Sequence, residues 1–196
     1  MPALPLLIGA YFLGSISFAI VSSRLFGLGD PRHYGSGNPG ATNVLRSGNK
    51  TAAVVTLTGD CLKGWLAVWA AAQFGFDADT AAMAGVAAFI GHVFSVFLRF
   101  KGGKGVATAL GVLLGISPAV ALACLAIWLL VAVASRYSSA AALAAAAAAP
   151  IVTVFITGSP AAAVAVLLMS VILFWRHAAN IHRLRAGTET KIGGKK

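Results

Sequence analysis

The sequence predicts an all-α fold: a polytopic membrane helical bundle of about seven transmembrane helices, with the N-terminus outside and the C-terminus inside. Hydrophobic residues make up 59% of the chain and charged residues only 10%, and the mean hydropathy is +0.87. Soluble domains carry about 25% charged residues. Because each crossing takes roughly 20 apolar residues, the chain has room for about seven crossings only if its loops are short. We therefore expect one integral membrane domain over residues 1–196.

Apolar runs separated by polar or glycine-rich segments define the candidate helices. The runs cover about 2–23, 51–74, 81–98, 105–116, 119–135, 138–157 and 160–176. Pro118 ends the short fourth run, because proline disfavours helix at the residue before it. A helix of about twelve residues covers only about 18 Å. A fourth segment that re-enters the membrane without crossing it is the open structural alternative.

The positions of Lys and Arg decide the orientation. If all seven runs cross, one face collects every loop lysine and arginine, and the opposite face holds Asp77 and Asp79. The cationic face then carries Arg24, Arg32, Arg46, Lys50, Arg99, Lys101, Lys104, Arg136, Arg176, Arg183, Arg185, Lys191, Lys195 and Lys196. With one crossing over 105–135, Arg136 and the basic tail would lie outside. The positive-inside rule therefore favours seven spans.

The net charge of +10 fits cationic loops that face anionic lipid and a phosphorylated substrate. Binding of nucleic acid is not expected, since the chain has no basic soluble domain. Cys61 and Cys124 lie in apolar runs without a CxxC or Cys/His cluster, so neither a disulfide nor a metal site is predicted. The N-terminus lacks the cationic segment of a cleaved signal peptide and is interpreted as the first span.

The first inner segment, 35–46, reads GSGNPGATNVLR. Glycines permit positive φ and can expose successive backbone N–H groups as an anion-binding concavity. Hydroxyl and amide side chains add donors, and Arg46 offers a bidentate fork for phosphate. These features favour a phosphate site over an ordinary polar turn. The candidate binding residues are Ser36, Gly37, Asn38, Gly40, Thr42, Asn43 and Arg46.

The second inner segment, KGGKG, opens the fourth run. A Gly-Lys turn at a helix N-terminus combines N–H groups, the positive end of the helix dipole and a cation. The spacing and the preceding strand of a Walker A loop are missing. Lysines that flank membrane helices commonly act as anchors, which makes Lys101 a weaker candidate than Lys104. The candidate binding residues are Lys101, Gly102, Gly103, Lys104 and Gly105.

The remaining inner segments are RYSS at 136–139 and RHAANIHRLRAGTE at 176–189. In a helix, Arg176, His177 and Asn180 share one face. His177 is a side chain that titrates near neutral pH. We expect His177 and Asn180 to contact substrate, whereas Arg185 and the tail from Lys191 onward are interpreted as a solvated basic cap.

Two charged residues interrupt the second run. Residues that ionise inside a membrane are functional by default, but the i, i+3 spacing of Asp60 and Lys63 favours a structural ion pair. His92, in the third run, is interpreted as a satisfied interhelical hydrogen bond rather than a catalyst.

Together and in this order, these segments resemble the PlsY family of bacterial glycerol-3-phosphate acyltransferases. The matching segments are GSGNPGATNVLR at 35–46, DCLKG at 60–64, GH at 91–92, KGGKGVATALG at 101–111 and RHAANIHRLRAGTE at 176–189. The resemblance implies transfer of a fatty-acyl group from acyl-phosphate to glycerol 3-phosphate. The products would be lysophosphatidic acid and phosphate, in the first acylation of membrane phospholipid synthesis.

The resemblance also implies a multi-pass protein of the bacterial cytoplasmic (inner) membrane, with the active site facing the cytoplasm. No cofactor or metal is expected. The expected partners are the two substrates, membrane lipid, and functional coupling to the soluble enzyme that makes acyl-phosphate.

Residue roles follow from the same resemblance. Ser36 and Arg46 match the family's essential first motif, and the glycines with Lys104 match its glycerol-phosphate site. His177 and Asn180 match the third motif, so the expected catalytic residues are Ser36, His177 and Asn180. Glu189 matches an acidic residue with a structural role. The serine-rich segment of the family runs into alanines here, and only Ser139 is carried over as a binding residue.

The expected chemistry suits these side chains. Acyl-phosphate is an activated mixed anhydride, so the protein needs to orient two substrates and stabilise charge rather than supply a covalent nucleophile. The chain has 5 acidic residues and no carboxylate pair in its inner loops, which disfavours a metal. Either His177 or a substrate phosphate takes the proton. The alternative function is a membrane carrier for an organic phosphate, which the one-sided polar clusters and the absence of an internal repeat disfavour.

Overall fold

The computed structural model describes residues 2–193, and this part of the chain is helical without a strand. The predicted all-α class is confirmed. The chain divides into two compact units, Met1–Ile116 and Ser117–Lys196, and each is described by itself. The single domain over 1–196 stays a prediction. Lys195 and Lys196 of the basic tail lie outside the described residues.

Every predicted apolar run contains a helix, although the first run is broken. In chain order the helices are α1 (Leu4–Ser15), α2 (Phe18–Leu25), α3 (Ala41–Leu45), α4 (Lys50–Gln73), α5 (Ala78–Val93), α6 (Val106–Ile116), α7 (Pro118–Ser135), α8 (Ser138–Thr157), α9 (Pro160–Arg176) and α10 (Ala178–Arg185). A 3-10 turn, Val96–Leu98, follows α5. The short helices α3 and α10 lie in the first and last inner segments.

Several of these helices suit a membrane. Among the described residues, 3 helical segments are long and apolar enough to cross, namely Ala78–Leu98, Pro118–Ser135 and Ser138–Thr157, and the number rises to 5 if the bent pairs α1–α2 and α9–α10 each count as one span. The seven predicted spans add two segments that fail this test. Of these, α4 has 24 residues but contains charges, and α6 has only 11 residues.

Glycines set the close packing of the first unit. A Cβ at Gly91 of α5 would meet the Tyr11 carbonyl of α1, and one at Gly64 of α4 would meet the Thr108 carbonyl of α6. Lipid tails are as apolar as core side chains, so helices in a membrane gain most from close contact between small residues. These glycines therefore hold α1 against α5 and α4 against α6.

The break between α1 and α2 is stabilised by polar side chains from α4 and from the residues that follow α5. The Lys63 Nζ donates to the Ile16 carbonyl at 2.6 Å, and the Ser95 hydroxyl donates to the Ser15 carbonyl at 2.6 Å. Lys63 also pairs with Asp60 at 2.7 Å, with both side chains at most 2% exposed. Irregular backbone at membrane depth needs such internal partners. The predicted Asp60–Lys63 ion pair therefore forms, and it also supports a helix break that the sequence did not predict.

In the second unit, α8 packs against both α7 and α9. The alanine-rich part of α8 is buried at Ala141, Ala142, Ala146 and Ala149, as expected for a close helix contact. The Ser170 hydroxyl of α9 donates to the Ala146 carbonyl at 2.8 Å. After α9 the chain bends by 58° into α10, and His177 lies at the bend.

Candidate active site

The first inner segment is organised by the Asn43 side chain. Its Oδ1 accepts from the Ser36 N–H at 2.8 Å and from the Ser36 hydroxyl at 3.2 Å. Its Nδ2 donates to the carbonyls of Pro31 at 2.6 Å and Tyr34 at 3.1 Å. Asn43 is 2% exposed. The amide that was expected to bind a ligand therefore holds the segment in shape, and its contact with substrate stays a prediction.

Backbone N–H groups of this segment are used within the segment. The Gly37 N–H donates to the Tyr34 carbonyl at 3.0 Å, and the Gly40 N–H donates to the Asn38 carbonyl at 2.9 Å. The Ser36 N–H is bonded to Asn43. The expectation of an open concavity of N–H groups at Ser36, Gly37 and Gly40 is therefore wrong. The segment is a tightly bonded turn, and these three N–H groups are used inside it.

Gly35 shows why glycine is needed at this turn. Its φ is +59°, and a Cβ there would meet the Asn43 Oδ1 and come within 3.2 Å of the Arg46 Cδ. The absence of a side chain lets the turn pack against both residues. Ser36, Thr42 and Arg46 are exposed, and Asn38 is half-buried. The segment thus presents hydroxyl, amide and guanidinium groups on a rigid support.

The second inner segment folds back onto the end of α5. The Gly102 N–H donates to the Val93 carbonyl and the Gly103 N–H to the His92 carbonyl, both at 3.1 Å. The last carbonyls of a helix have no partner within it, and the loop supplies that partner here. The expectation that Gly102 and Gly103 offer N–H groups to an anion is therefore wrong. Lys104 follows directly and is half-buried, while Lys101 is exposed.

Gly103 is the point at which the two inner segments of the first unit meet. A Cβ at this position would lie 3.1 Å from the Pro39 carbonyl oxygen of the first segment and would collide with the His92 imidazole. Only glycine fits between these two groups. Gly105 then turns the chain into α6 with φ +89°, packed against the Phe89 ring.

The structure adds His92 to the surroundings of this loop. Its Nδ1 lies 3.5 Å from the Asp60 Oδ1, as expected for an interhelical contact, but its ring also contacts Gly103. The sequence interpretation missed this second contact. Membrane-buried ionisable groups pair with one another, so the presence of Asp60, Lys63 and His92 in neighbouring runs was the signal that could have revealed the cluster.

In the second unit, the Glu189 carboxylate joins three segments. Its Oε1 accepts from the Ser139 hydroxyl at 2.8 Å and from the Asn180 Nδ2 at 2.6 Å. Its Oε2 accepts from the Arg183 Nε at 2.6 Å. The start of α8, helix α10 and the tail are thereby tied together. The Asn180 amide nitrogen thus faces Glu189.

The ionised form of Glu189 is favoured. Burial alone would raise the pKa of this carboxyl, but the hydrogen bonds from its three donors and the charge of Arg183 outweigh burial and leave the pKa below its ordinary value. Charge-assisted hydrogen bonds of this kind are roughly twice as strong as neutral ones. Glu189 is therefore a charged anchor at neutral pH.

His177 is held in a defined orientation at the bend between α9 and α10. Its Nδ1 lies 2.8 Å from the Leu173 carbonyl oxygen, and the residue is 3% exposed. A carbonyl oxygen only accepts hydrogen bonds, so Nδ1 carries the proton in the neutral ring and Nε2 carries the lone pair. His177 and Asn180 both lie within one turn of the bend.

The tail is also attached at the α7–α8 junction. The Ile192 N–H donates to the Arg136 carbonyl at 2.7 Å, and Lys191 lies over the Tyr137 ring at 5.9 Å. The two inner segments of the second unit are therefore neighbours. Ser139, His177, Asn180 and Glu189 belong to one end of this unit.

Comparison with known proteins decides the family. Residues 4–187 match the family described as glycerol-3-phosphate acyltransferase. The chain belongs to this family. It is 65% identical to the glycerol-3-phosphate acyltransferase of Aromatoleum aromaticum over 196 residues, with 100% of both chains covered. It is 55% identical to that of Paraburkholderia phymatum over 191 residues, covering 95% of this chain and 91% of the relative.

Solved structures agree with the sequence relatives. The chain is 41% identical to PlsY (YgiH), an integral membrane glycerol 3-phosphate acyltransferase in its glycerol 3-phosphate form, with a TM-score of 0.89 over 96% of this chain and 94% of that one. A second form of that protein, with lysophosphatidic acid, gives a TM-score of 0.87 at 40% identity. The predicted acyltransferase family and the integral membrane fold are therefore confirmed.

Proposed function

We propose that this protein transfers a fatty-acyl group from acyl-phosphate to glycerol 3-phosphate, giving lysophosphatidic acid and phosphate. The close approach of Gly103 to the Pro39 carbonyl carries the proposal, because it places the two candidate phosphate-binding segments next to each other. The candidate donors of these segments are Ser36, Asn38, Thr42, Arg46 and Lys104. The solved relative is described with glycerol 3-phosphate and with lysophosphatidic acid, the acceptor and product of this reaction.

The reaction needs orientation and charge stabilisation. The primary hydroxyl of glycerol 3-phosphate attacks the carbonyl carbon of acyl-phosphate, the new ester C–O bond forms, and the C–O bond to phosphate breaks. Arg46 and Lys104 would hold the phosphate charges in place. Ser36 would act by hydrogen bonding, because its hydroxyl donates to an amide oxygen that cannot accept its proton as a base would. No acyl-enzyme intermediate is required.

The attacking hydroxyl must lose a proton, and two groups can take it. A substrate phosphate is our preferred base, since its second ionisation lies near pH 6. His177 is the alternative, because its neutral ring has a lone pair on Nε2. In the preferred scheme, His177 and Asn180 position substrate by hydrogen bonds. A pH–rate profile of His177→Gln separates the two, since the rise near pH 6–7 survives only if the phosphate is the base.

The donor is tested by measuring phosphate release and lysophosphatidic acid formation from purified protein. Acyl-phosphate, acyl-CoA and acyl-carrier protein are supplied in turn with glycerol 3-phosphate. We expect product only with acyl-phosphate, in a one-to-one ratio with phosphate. Turnover with a thioester donor alone would contradict the proposal, and so would uptake of glycerol 3-phosphate into vesicles without any product.

We further propose seven membrane segments with the N-terminus outside, the C-terminus inside and the site facing the cytoplasm of the inner membrane. The one-sided loop cations support this topology. At about 1.5 Å per residue, α4 is long enough to cross, at roughly 36 Å, while α6 is a shortened segment of roughly 17 Å. A cytoplasmic site would also allow acyl-phosphate to be received from the soluble enzyme that makes it.

Cysteine labelling tests the topology. In a background with Cys61→Ala and Cys124→Ala, single cysteines replace exposed residues: Ser47→Cys and Ala186→Cys for the inner face, Ala78→Cys and Ala161→Cys for the outer face. We expect the first two to react with an impermeant thiol reagent only after the membrane is opened, and the last two in intact cells. Reaction of Ala186→Cys from outside would contradict seven spans.

A further inference from the structure

We propose that His92 is a positioning residue for the second phosphate-binding segment, Lys101–Gly105. In this role the buried imidazole, anchored by Asp60, fixes Gly102 and Gly103 and through them the place of Lys104. The inference rests on the proposed function. It assigns a role to the buried cluster of Asp60, Lys63 and His92, which takes no direct part in acyl transfer.

One side of His92 is anchored to α4 by charge. The His92 Nδ1 lies 3.5 Å from the Asp60 Oδ1, and Asp60 is fixed by Lys63 at 2.7 Å. Lys63 in turn donates to the Ile16 carbonyl at 2.6 Å. The imidazole is thus connected through two ionised side chains to the break between α1 and α2. The ring therefore lies next to a fixed carboxylate, and not only in a space of matching shape.

The other side of His92 contacts the loop in two ways. Its carbonyl accepts from the Gly103 N–H at 3.1 Å. The edge of its ring occupies the space that a side chain at position 103 would need, with Cε1 only 2.9 Å from an ideal Cβ. A Cβ at Gly102 would meet the same His92 carbonyl. Neither position therefore has room for a side chain beside His92, and Lys104 directly follows Gly103.

The energetics argue against simple space filling. A buried ion pair commonly contributes no more to stability than apolar residues of the same size, because desolvation of the charges offsets their attraction. An apolar residue at position 92 would fill the space without an anchored orientation. Three ionisable side chains, Asp60, Lys63 and His92, are each at most 6% exposed in this membrane protein, which favours a positional task for the cluster.

The consequence is a selective effect on one substrate. A displacement of about 1 Å in a substrate-positioning group can lower a rate by about a hundredfold. If His92 positions Lys104 at the glycerol-phosphate site, its loss should raise the KM for glycerol 3-phosphate at least tenfold. The KM for acyl-phosphate should change less than twofold. A general loss of packing would change both constants or neither.

The test uses purified full-length protein and both KM values. His92→Ala removes the ring, whereas His92→Asn keeps an amide donor near the Nδ1 position toward Asp60. We expect His92→Asn to unfold at nearly the parental temperature and still to show the raised KM for glycerol 3-phosphate. Val86→Ala, a buried substitution elsewhere on α5, is the matched control and should lose stability without changing either KM.

Gly103→Ala gives an independent arm. Alone, it should raise the same KM at least tenfold, because its methyl group meets the His92 ring. In the double variant with His92→Ala, the methyl takes part of the vacated space. The combined effect should then be at least fivefold smaller than the product of the single effects.

Two outcomes would overturn the inference while the parent turns over acyl-phosphate. One is a folded His92→Asn or His92→Ala variant whose KM for glycerol 3-phosphate stays within twofold of the parent. The other is a double variant whose effect equals the product of the singles. An inactive parent would instead overturn the proposed function, and this inference with it.

Discussion

Asp60 and Glu189 are both carboxylates that join separate segments, but their surroundings differ. Asp60 is 2% exposed and its partner Lys63 is 1% exposed, so both charges are enclosed by helices. Glu189 is 7% exposed at its side chain, and its charged partner Arg183 is 41% exposed. Removing Asp60 would leave a cation without water or counter-charge. Removing Glu189 would leave its charged partner Arg183 free to turn to solvent, although Ser139 and Asn180 are buried.

This difference shows how the candidate binding segments of each unit are supported. In the first unit, glycine-rich turns pack against buried groups. The atoms that hold the candidate binding segments in place therefore also stabilise the fold. In the second unit, one ionised carboxylate orients Asn180 and attaches the tail. We therefore expect substitutions of the buried ion pair Asp60–Lys63 to act mainly through folding and those at Glu189 to act mainly through activity. The following predictions test this contrast.

The largest effect should come from Asp60→Asn. Breaking a buried ion pair by removing one partner costs about 3–5 kcal/mol, and here it also weakens the anchor of His92. Thermal unfolding and the yield of monodisperse protein measure the loss. The double variant Asp60→Leu with Lys63→Met should regain part of the stability, because no charge remains unpaired, although the Ile16 carbonyl loses its donor. If Asp60→Asn unfolded at the parental temperature, the expected difference between Asp60 and Glu189 would be contradicted.

The next effect should come from the cationic side chains of the first unit. Arg46→Ala and Lys104→Ala should each lower activity about ten- to a hundredfold, since a hydrogen bond to a charged group contributes roughly 1.5–3 kcal/mol. Steady-state kinetics over a range of glycerol 3-phosphate measure this loss. Arg24→Ala and Lys50→Ala remove exposed cations outside the two segments and serve as matched controls. Parental kinetics for both Arg46→Ala and Lys104→Ala would show that the site is elsewhere.

Glu189→Gln should give a smaller effect, about tenfold in activity, with little change in yield. The neutral amide can still accept one hydrogen bond but no longer pairs with Arg183, which corresponds to a loss of roughly 1.5 kcal/mol. Activity per folded molecule is the measurement. A variant that fails to fold would place Glu189 in the same class as Asp60.

In the parent, acidification should remove the stabilisation that the ionised Glu189 side chain provides. The folded-state pKa of Glu189 lies below its ordinary value of 4.5. The carboxylate therefore stabilises the tail above pH 4.5, and that stabilisation is lost as the pH falls through the lower, folded-state pKa. Unfolding temperatures measured from neutral pH downward should fall less steeply in Glu189→Gln than in the parent. Equal slopes would show that Glu189 does not contribute.

The smallest effect should come from Arg32→Ala. Its guanidinium binds Asp30 at 2.6 Å and, by hydrogen bonding, lowers the pKa of that carboxyl from 3.8 to about 2. The substitution should return this pKa toward 3.8, as a carboxyl titration by NMR would show. Exposed ion pairs contribute at most about 1 kcal/mol, so stability and activity should hardly change. A large loss of activity would mean that this pair belongs to the site.

Much of the helical order could be predicted from the sequence, because apolar runs of membrane length have few other solutions. The break at Ile16–Ser17 could not, since both residues lie in an apolar run and the partners that stabilise it, Lys63 and Ser95, are distant in sequence. The Asp60–Lys63 pair was predictable because its two members are one helical turn apart. The contact of His92 with Gly103 depends on how a loop folds back, which spacing does not reveal.

The inner segments could be recognised by their residue types. The role of each polar group within them could not be predicted. Glycine-rich sequence suggested open N–H groups, whereas Gly37, Gly102 and Gly103 donate to backbone carbonyls. A buried donor is almost always paired, so a compact turn uses its own amides first. Asn43 illustrates the same point for a side chain. The resemblance identified the family correctly. Only the folded chain shows which residues of its matching segments are buried as supports and which are exposed.

The central claim is that both phosphates are held together and that the acyl group passes directly between substrates. Initial rates over a matrix of acyl-phosphate and glycerol 3-phosphate concentrations test it most directly. We predict intersecting reciprocal plots, which indicate a ternary complex, and no burst of phosphate from acyl-phosphate alone. Parallel plots with a stoichiometric phosphate burst would show an acyl-enzyme intermediate and would contradict the account.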